Sequence, residues 1–225
     1  MHRMSRVVLD IETLGYPLET FDADQQEYLL KFSGTAAERE ETVLKFSLSP
    51  FTAQIIAIGL FNPDTKKGKV LFQADTATLQ TDDGGAVQFQ SGSEKEILEH
   101  FWKDIVHYDR FITFNGRNFD CPFLLLRSAV LSVKPARNLM PYRYDSSIHC
   151  DLLEQLTFYG AMRKFNLDFC CKTFGIRSPK SEGITGMDMQ SLFQEKRFLD
   201  IARYNLGDLK ATAELFLRWE KYLTF

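Results

Sequence analysis

Asp10 and Glu12 stand two residues apart in the run V-V-L-D-I-E-T at residues 7–13. Its apolar positions, mostly β-branched, predict a buried strand. Side chains alternate across a strand, so both carboxylates point to one face. Two like charges held that close raise each other's proton affinity unless positive charge sits between them. Hard oxygen donors suit magnesium, calcium or manganese, so the pair could hold a divalent cation. The plainer reading is an acidic strand edge facing solvent.

Two more carboxylates sit where side chains of their kind are unexpected. Residues 197–223 read as one long helix, with Ile201, Tyr204, Asp208, Ala211 and Leu215 spaced by threes and fours along a core-facing stripe. Asp208 interrupts that stripe, and an unpaired buried carboxylate is costly, so it needs a partner. A structural salt bridge and a metal ion both satisfy the need. Tyr204 lies one turn earlier on the same face. Asp120 lies at the other predicted junction, where a strand's C-terminal end meets a helix N-terminus. Ligand sites collect there in α/β folds, although an aspartate at such a place can also be a simple helix cap.

The elements between these residues set their positions. Residues 54–61 are almost continuously apolar, as in a central strand. Turn residues follow at 62–68, and residues 69–73 return as the hairpin partner. Residues 81–85, T-D-D-G-G, read as a loop, and 86–90 as a short extended piece. Ser93 and Glu96 form a capping box that opens a helix. A strand at 108–114 follows, and the intervening helix permits its parallel addition to the sheet. Asn115-Gly116 turns the chain into a helix that opens around Phe119, Asp120 and Pro122. Residues 134–144 read as a loop and 147–153 as a further strand or a strand running into a helix. Asn166 caps a short helix stopped by Gly175, and residues 176–186 form a loop carrying Lys180. After the first strand, residues 15–50 are an insertion with two helix candidates, at 22–32 and 36–46. Its polar faces suggest a solvated cap, and long connections of this kind also carry specificity.

At 225 residues and 44% apolar content, the chain suits one globular domain with an insertion. Its net charge of −3 argues against binding by broad phosphate neutralisation. Cys121, Cys150, Cys170 and Cys171 contain no C-x-x-C pair and read as reduced core residues of a cytoplasmic protein. The short apolar run after the basic residues 1–6 is broken by Asp10, so no signal peptide is expected. No stretch is long enough for a membrane span.

Together the carboxylates form a pattern. D-I-E-T at 10–13, N-G-R-N-F-D at 115–120 and Y-N-L-G-D at 204–208 appear in the order of the DEDD 3′-5′ exonucleases, and the chain resembles that superfamily. Tyr204 points to its DEDDy branch. The likeness is nearest to the exonuclease domain of B-family DNA polymerases and stand-alone proteins related to it, and H-C-D-L-L at 149–153 and N-L-D-F at 166–169 look similar too. It covers most of the chain except residues 15–50.

The resemblance implies an α/β, ribonuclease H-like fold: a mixed sheet of about five to six strands, an antiparallel meander plus parallel strands, flanked by helices. It implies a 3′-5′ exonuclease acting on single-stranded DNA with two divalent ions, Mg2+ or Mn2+, and releasing nucleoside 5′-monophosphates. Asp10, Glu12, Asp120 and Asp208 would be the metal ligands, and Tyr204 would orient the attacking water. Thr13, Leu14, Asn115, Phe119 and Lys180 are the candidate substrate contacts. With 20 Phe in the chain, core packing competes for Phe119; solvation competes for Lys180 and a turn for Asn115. The expected partner is the 3′ end of a single strand, DNA or RNA; protein partners are not indicated. An RNA-trimming enzyme, a non-catalytic binding module and a ribonuclease H-like endonuclease are the competing readings. The complete set of five site residues speaks against the module, and the tyrosine against the endonuclease.

Overall fold

The computed structural model describes residues 5–177 and 186–224. Its centre is β1 (Arg6–Gly15), which pairs antiparallel with β2 (Ala53–Phe61). Beyond β2 lies β3 (Gly68–Gln73), joined by the expected hairpin turn, in which Asn62 Oδ1 accepts the N–H groups of Asp64 and Thr65. The loop expected at 81–85 begins instead as a strand, β4 (Leu79–Asp82), and the following β5 (Val87–Gly92) pairs with it. β5 inserts beside β3 in parallel and leaves β4 at the edge. On the other side of β1, β6 (Arg110–Thr113) and β7 (His149–Asp151) add in parallel. The order is β4-β5-β3-β2-β1-β6-β7, a mixed sheet of seven strands.

Each face of the sheet carries its own core. Val7, Leu9 and Ile11 point to one face, against α3 (Glu94–Ile105) and α4 (Asp120–Val130). The capping box at α3 forms as expected, with Ser93 accepting from Glu96 N–H and Glu96 accepting from Ser93 N–H. Val8 points to the opposite face, against the long C-terminal helix. Asp10 and Glu12 continue the row begun by Val8, so period two aims both at that helix.

Between β1 and the helix-bearing loop before β2, residues 15–50 hold α1 (Ala23–Leu30) and α2 (Ala36–Leu44). Asp22 with Gln25, and Thr35 with Glu38, form reciprocal capping boxes that start the two helices. Neither helix has a buried residue. What fixes the insertion is its two ends: Phe46 is buried, Tyr16 N–H donates to Thr52 O, and the Thr13 hydroxyl donates to Ser47 O.

After β7 the chain forms α5 (Leu152–Leu156), α6 (Leu167–Thr173) and α7 (Met189–Gln194). The last element, α8 (Phe198–Leu223), packs on β1, β2 and β3. Among the described residues, no helix is long and apolar enough to cross a membrane.

Candidate metal centre

α8 lies across the β1–β2 ladder at the level of Asp10 and Glu12. Gly59 of β2 makes the approach possible. A Cβ there would sit 2.1 Å from Asn205 Oδ1 and 2.3 Å from Leu209 Cδ1, both on α8. The β1–β2 register shifts at the same level: Glu12 faces Ala57 and Thr13 faces Ile55. Ile56 is the extra residue, and Ile56 and Ala57 consequently both reach the α8 core.

This packing brings Asp208 of α8 onto the β1 carboxylates. One oxygen each from Asp10, Glu12 and Asp208 lie within 4.8 Å of one another. Asp120 approaches from the opposite edge of β1. The β1–β6 ladder ends at the Val8–Ile112 pair, and beyond it Asp120 Oδ1 accepts the Ile11 N–H at 3.0 Å. Phe119, not Asp120, holds the cap position of α4, so the capping role is not the one Asp120 fills. Tyr204 is half-buried on α8, one turn before Asp208.

The electrostatics have one sign. Burial and the neighbouring carboxylates push Asp10 well above the usual carboxylate range. Burial and Asp208 do the same to Glu12, against a hydrogen bond from Asn205. Burial lifts Asp120 to about 7 in spite of its backbone hydrogen bonds. The Tyr204 hydroxyl is raised too, by burial and then by Asp208, Glu12 and Asp10. Carboxylates collected this closely stay charged near neutral pH only with a cation among them. The donor set fits one: oxygen ligands alone, one per side chain, suit Mg2+, Mn2+ or Ca2+ and not a thiolate-seeking metal.

Several residues that hold this arrangement escape a reading by composition and period. Asn205 is fully buried, and its Nδ2 donates to Asp10 Oδ2 at 2.8 Å. An asparagine inside a helix is intrinsically unfavourable, and that was the one signal available for it. Asp151 is equally buried. It caps α5 and also accepts the N–H groups of Asn115 and Arg117, fixing the loop that leads to Asp120. Asn115 takes the left-handed conformation there, at φ 64°, and accepts from Asn118 Nδ2.

The expected substrate contacts are placed differently. Thr13 is tied to the insertion through Ser47. Leu14 is half-buried against the α8-side core, and Phe119 packs on Phe123 at the edge of the other. Asn115 borders the Asp120 loop. Lys180 lies outside the described residues.

Gly59→Ala is a sharp test of the packing beneath the site. The new methyl group must displace Asn205 or Leu209, with a cost of about 1–3 kcal/mol for overpacking. Loss of the Asn205–Asp10 hydrogen bond should then reduce divalent-ion affinity more than stability. Thermal unfolding with and without Mn2+ measures both; an unchanged metal-induced shift would break the link between Gly59, Asn205 and Asp10.

Residues 52–224 match the family described as "Predicted 3'-5' exonuclease related to the exonuclease domain of PolB". The matched span includes Asp120, Tyr204 and Asp208 and begins after Asp10 and Glu12. The chain is 28% identical over 180 residues to DNA polymerase 1 of Sulfurisphaera ohwakuensis, covering 72% of this chain and 19% of that protein. It is 26% identical over 179 residues to DNA polymerase 1 of Saccharolobus solfataricus, with the same coverage of 72% and 19%. The chain thus spans about a fifth of the length of these curated relatives. The fold is similar to that of the family B DNA polymerase of Pyrobaculum calidifontis, with a TM-score of 0.60 over 96% of this chain and 24% of that one, at 15% identity. That likeness speaks to the fold alone, and it is the ribonuclease H-like one. With more than half of its length matched, the chain belongs to the family of predicted 3′-5′ exonucleases related to the exonuclease domain of PolB.

Proposed function

We propose that this protein is a metal-dependent 3′-5′ exonuclease of single-stranded DNA that releases nucleoside 5′-monophosphates. The observation that carries the reading is the convergence of Asp10, Glu12 and Asp208 within 4.8 Å, with Asp120 held against β1 beside them. The DNA polymerases among the relatives favour DNA as the polymer.

Asp10, Glu12 and Asp208 would hold the divalent ion or ions, with Asp120 supporting a second. When bound, such ions neutralise charge on a scissile phosphate and make water a stronger nucleophile. The remaining work falls to the chain. Asn205 fixes the Asp10 carboxylate through its Nδ2 hydrogen bond. Asp120 is pinned to β1 by the Ile11 N–H, beside the other carboxylates. Tyr204 keeps its proton far above neutral pH because burial, and after it the anionic neighbours Asp208, Glu12 and Asp10, disfavour the phenolate. Its hydroxyl therefore orients a water without taking the proton itself. Asn115, in the loop that leads to Asp120, would touch the strand. Phe119, Thr13 and Leu14 would border the terminal nucleotide.

The test uses a 5′-labelled single-stranded DNA oligonucleotide, its RNA counterpart and a circular single strand, each with Mg2+ or Mn2+. A ladder shortening from the 3′ end of DNA, with the circle intact, is the expected result. Faster shortening of RNA would move the substrate to that polymer. A cut circle would make the protein an endonuclease, and no cutting of any of them would leave a binding module.

A further inference from the structure

We infer that Tyr142, Tyr144 and Tyr159 form a stacking track that grips the unpaired bases of a single strand upstream of the carboxylate centre. This rests on the nucleic-acid reading above and extends it to a surface outside the metal centre. The three rings touch in sequence: Tyr142 and Tyr144 have centroids 5.7 Å apart, and Tyr144 and Tyr159 4.8 Å. Tyr142 is 73% and Tyr144 58% exposed, so packing does not account for them. Large rings left in water in contact with one another mark a surface that meets something.

The track is wired to the site. Arg117 belongs to the loop that ends at Asp120, and its own N–H is held by Asp151. The buried Arg117 guanidinium donates to Pro141 O at 3.0 Å and to Tyr142 O at 3.1 Å. Glu154 on α5 lies between Arg117 and Arg143 and ties the same segment to the helix that precedes Tyr159. Tyr159 itself is held in a left-handed conformation, at φ 58°, by its N–H bond to Glu154 O, and Gln155 Nε2 donates to its hydroxyl. The backbone that carries the rings is therefore tied to the loop that ends at Asp120.

Charge identifies the occupant. The chain as a whole is acidic, yet residues 134–165 carry Lys134, Arg137, Arg143, Arg163 and Lys164 against Asp145, Asp151 and Glu154. Asp151 is buried and accepts backbone N–H groups, and the buried Glu154 pairs with both Arg117 and Arg143. Even with Arg143 paired to Glu154, the segment keeps a net positive charge, as a phosphate backbone requires. The rings are tilted by 62° and 57° to one another, so they present separate faces and not one flat wall. Separate faces suit unstacked bases of a single strand, which bind aromatic side chains without sequence preference. A duplex keeps its bases stacked and offers nothing to such rings.

Binding of a fluorescein-labelled oligothymidylate to the full chain is read by anisotropy in EDTA, where no strand is shortened. Tyr142→Ala and Tyr144→Ala should each weaken binding at least about fivefold, while Tyr144→Phe retains it and Tyr28→Ala on the insertion matches the parent. Tyr144→Trp supplies a direct readout. Trp102 and Trp219 are buried, so a new exposed indole quenched by unlabelled oligothymidylate, and not by a duplex, reports stacking. Unchanged affinity in both alanine variants, an unquenched indole, or equal quenching by duplex overturns the inference. If the parent shortens 3′ ends but the alanine variants bind as it does, the track alone is wrong. If ring-dependent binding occurs and nothing is cut, the track stands and the exonuclease reading falls.

Discussion

Asp208→Asn is expected to reduce 3′-end hydrolysis on the order of 10³-fold or more while keeping the fold. The substitution preserves volume and removes one of the three charges gathered within 4.8 Å. Residues that hold one ion act as a unit, so loss of one ligand disables the others. Stability should move the opposite way in the absence of metal. Asp10, Glu12 and Asp120 all bind their protons more tightly folded than unfolded. Such groups favour the fold below the ordinary carboxylate range near pH 4, and that contribution disappears as pH rises through the folded value, about 7 for Asp120. Asp208 is among the charges that raise all three. The metal-free variant should therefore melt above the metal-free parent at pH 8 and close to it at pH 4. Mn2+ at a hundredfold excess over its Kd adds about 2.7 kcal/mol, or about 5–10 °C for a chain of this size. The parent should show that rise at pH 8 and the variant should not. A variant that keeps activity within tenfold of the parent, or the full metal-induced rise, would remove Asp208 from the centre.

The carboxylates that the fold gathers were readable because each breaks a pattern. Asp10 and Glu12 interrupt an apolar strand at period two, and Asp208 interrupts a helical stripe. Asp120 stands at a strand-to-helix junction. The sheet was legible where its strands are buried and continuous, as β2 is. β4 was not, because Leu79–Asp82 is a mostly exposed edge whose pairing comes from β5 and not from its own residues. Nor does local sequence announce that β5 slots between β4 and β3, since that depends on a parallel crossover. The supporting residues failed to show for a related reason. Gly59 matters only because α8 crosses it, and Arg117 and Asp151 act on backbone groups tens of residues away. Such roles exist only after the chain has folded.

The largest loss of stability should come from Arg127→Met, about two turns beyond Asp120 on α4. Arg127 is buried on α4 and pairs with the buried Glu94 at the start of α3 through two bonds, Nε to Oε1 at 2.8 Å and Nη2 to Oε2 at 2.7 Å. Its Nη1 also donates to Pro50 O and its Nη2 to the Tyr16 hydroxyl, the two ends of the insertion. Glu94 Oε1 in turn accepts the Ile55 N–H, opposite Thr13 on the ladder. Methionine fills the volume but leaves Glu94 buried with its charge unanswered. Breaking such a pair from one side costs about 3–5 kcal/mol, which lowers Tm by about 6–20 °C at this length. Replacing both partners, Glu94→Gln with Arg127→Met, should recover a large part of the loss, because the uncompensated charge is what costs most. If the double variant melts no higher than the single one, the charge is not the cause, and the lost anchors to Tyr16 and Pro50 are. The metal centre gives an independent reading of the same variant. Asp10, Glu12 and Asp208 lie on the α8 side of the sheet and Asp120 is held by its own bond to Ile11 N–H, so kcat per folded molecule should persist below the melting temperature. KM should rise instead, because the freed insertion ends border Thr13 and Leu14, where the terminal nucleotide is proposed to rest.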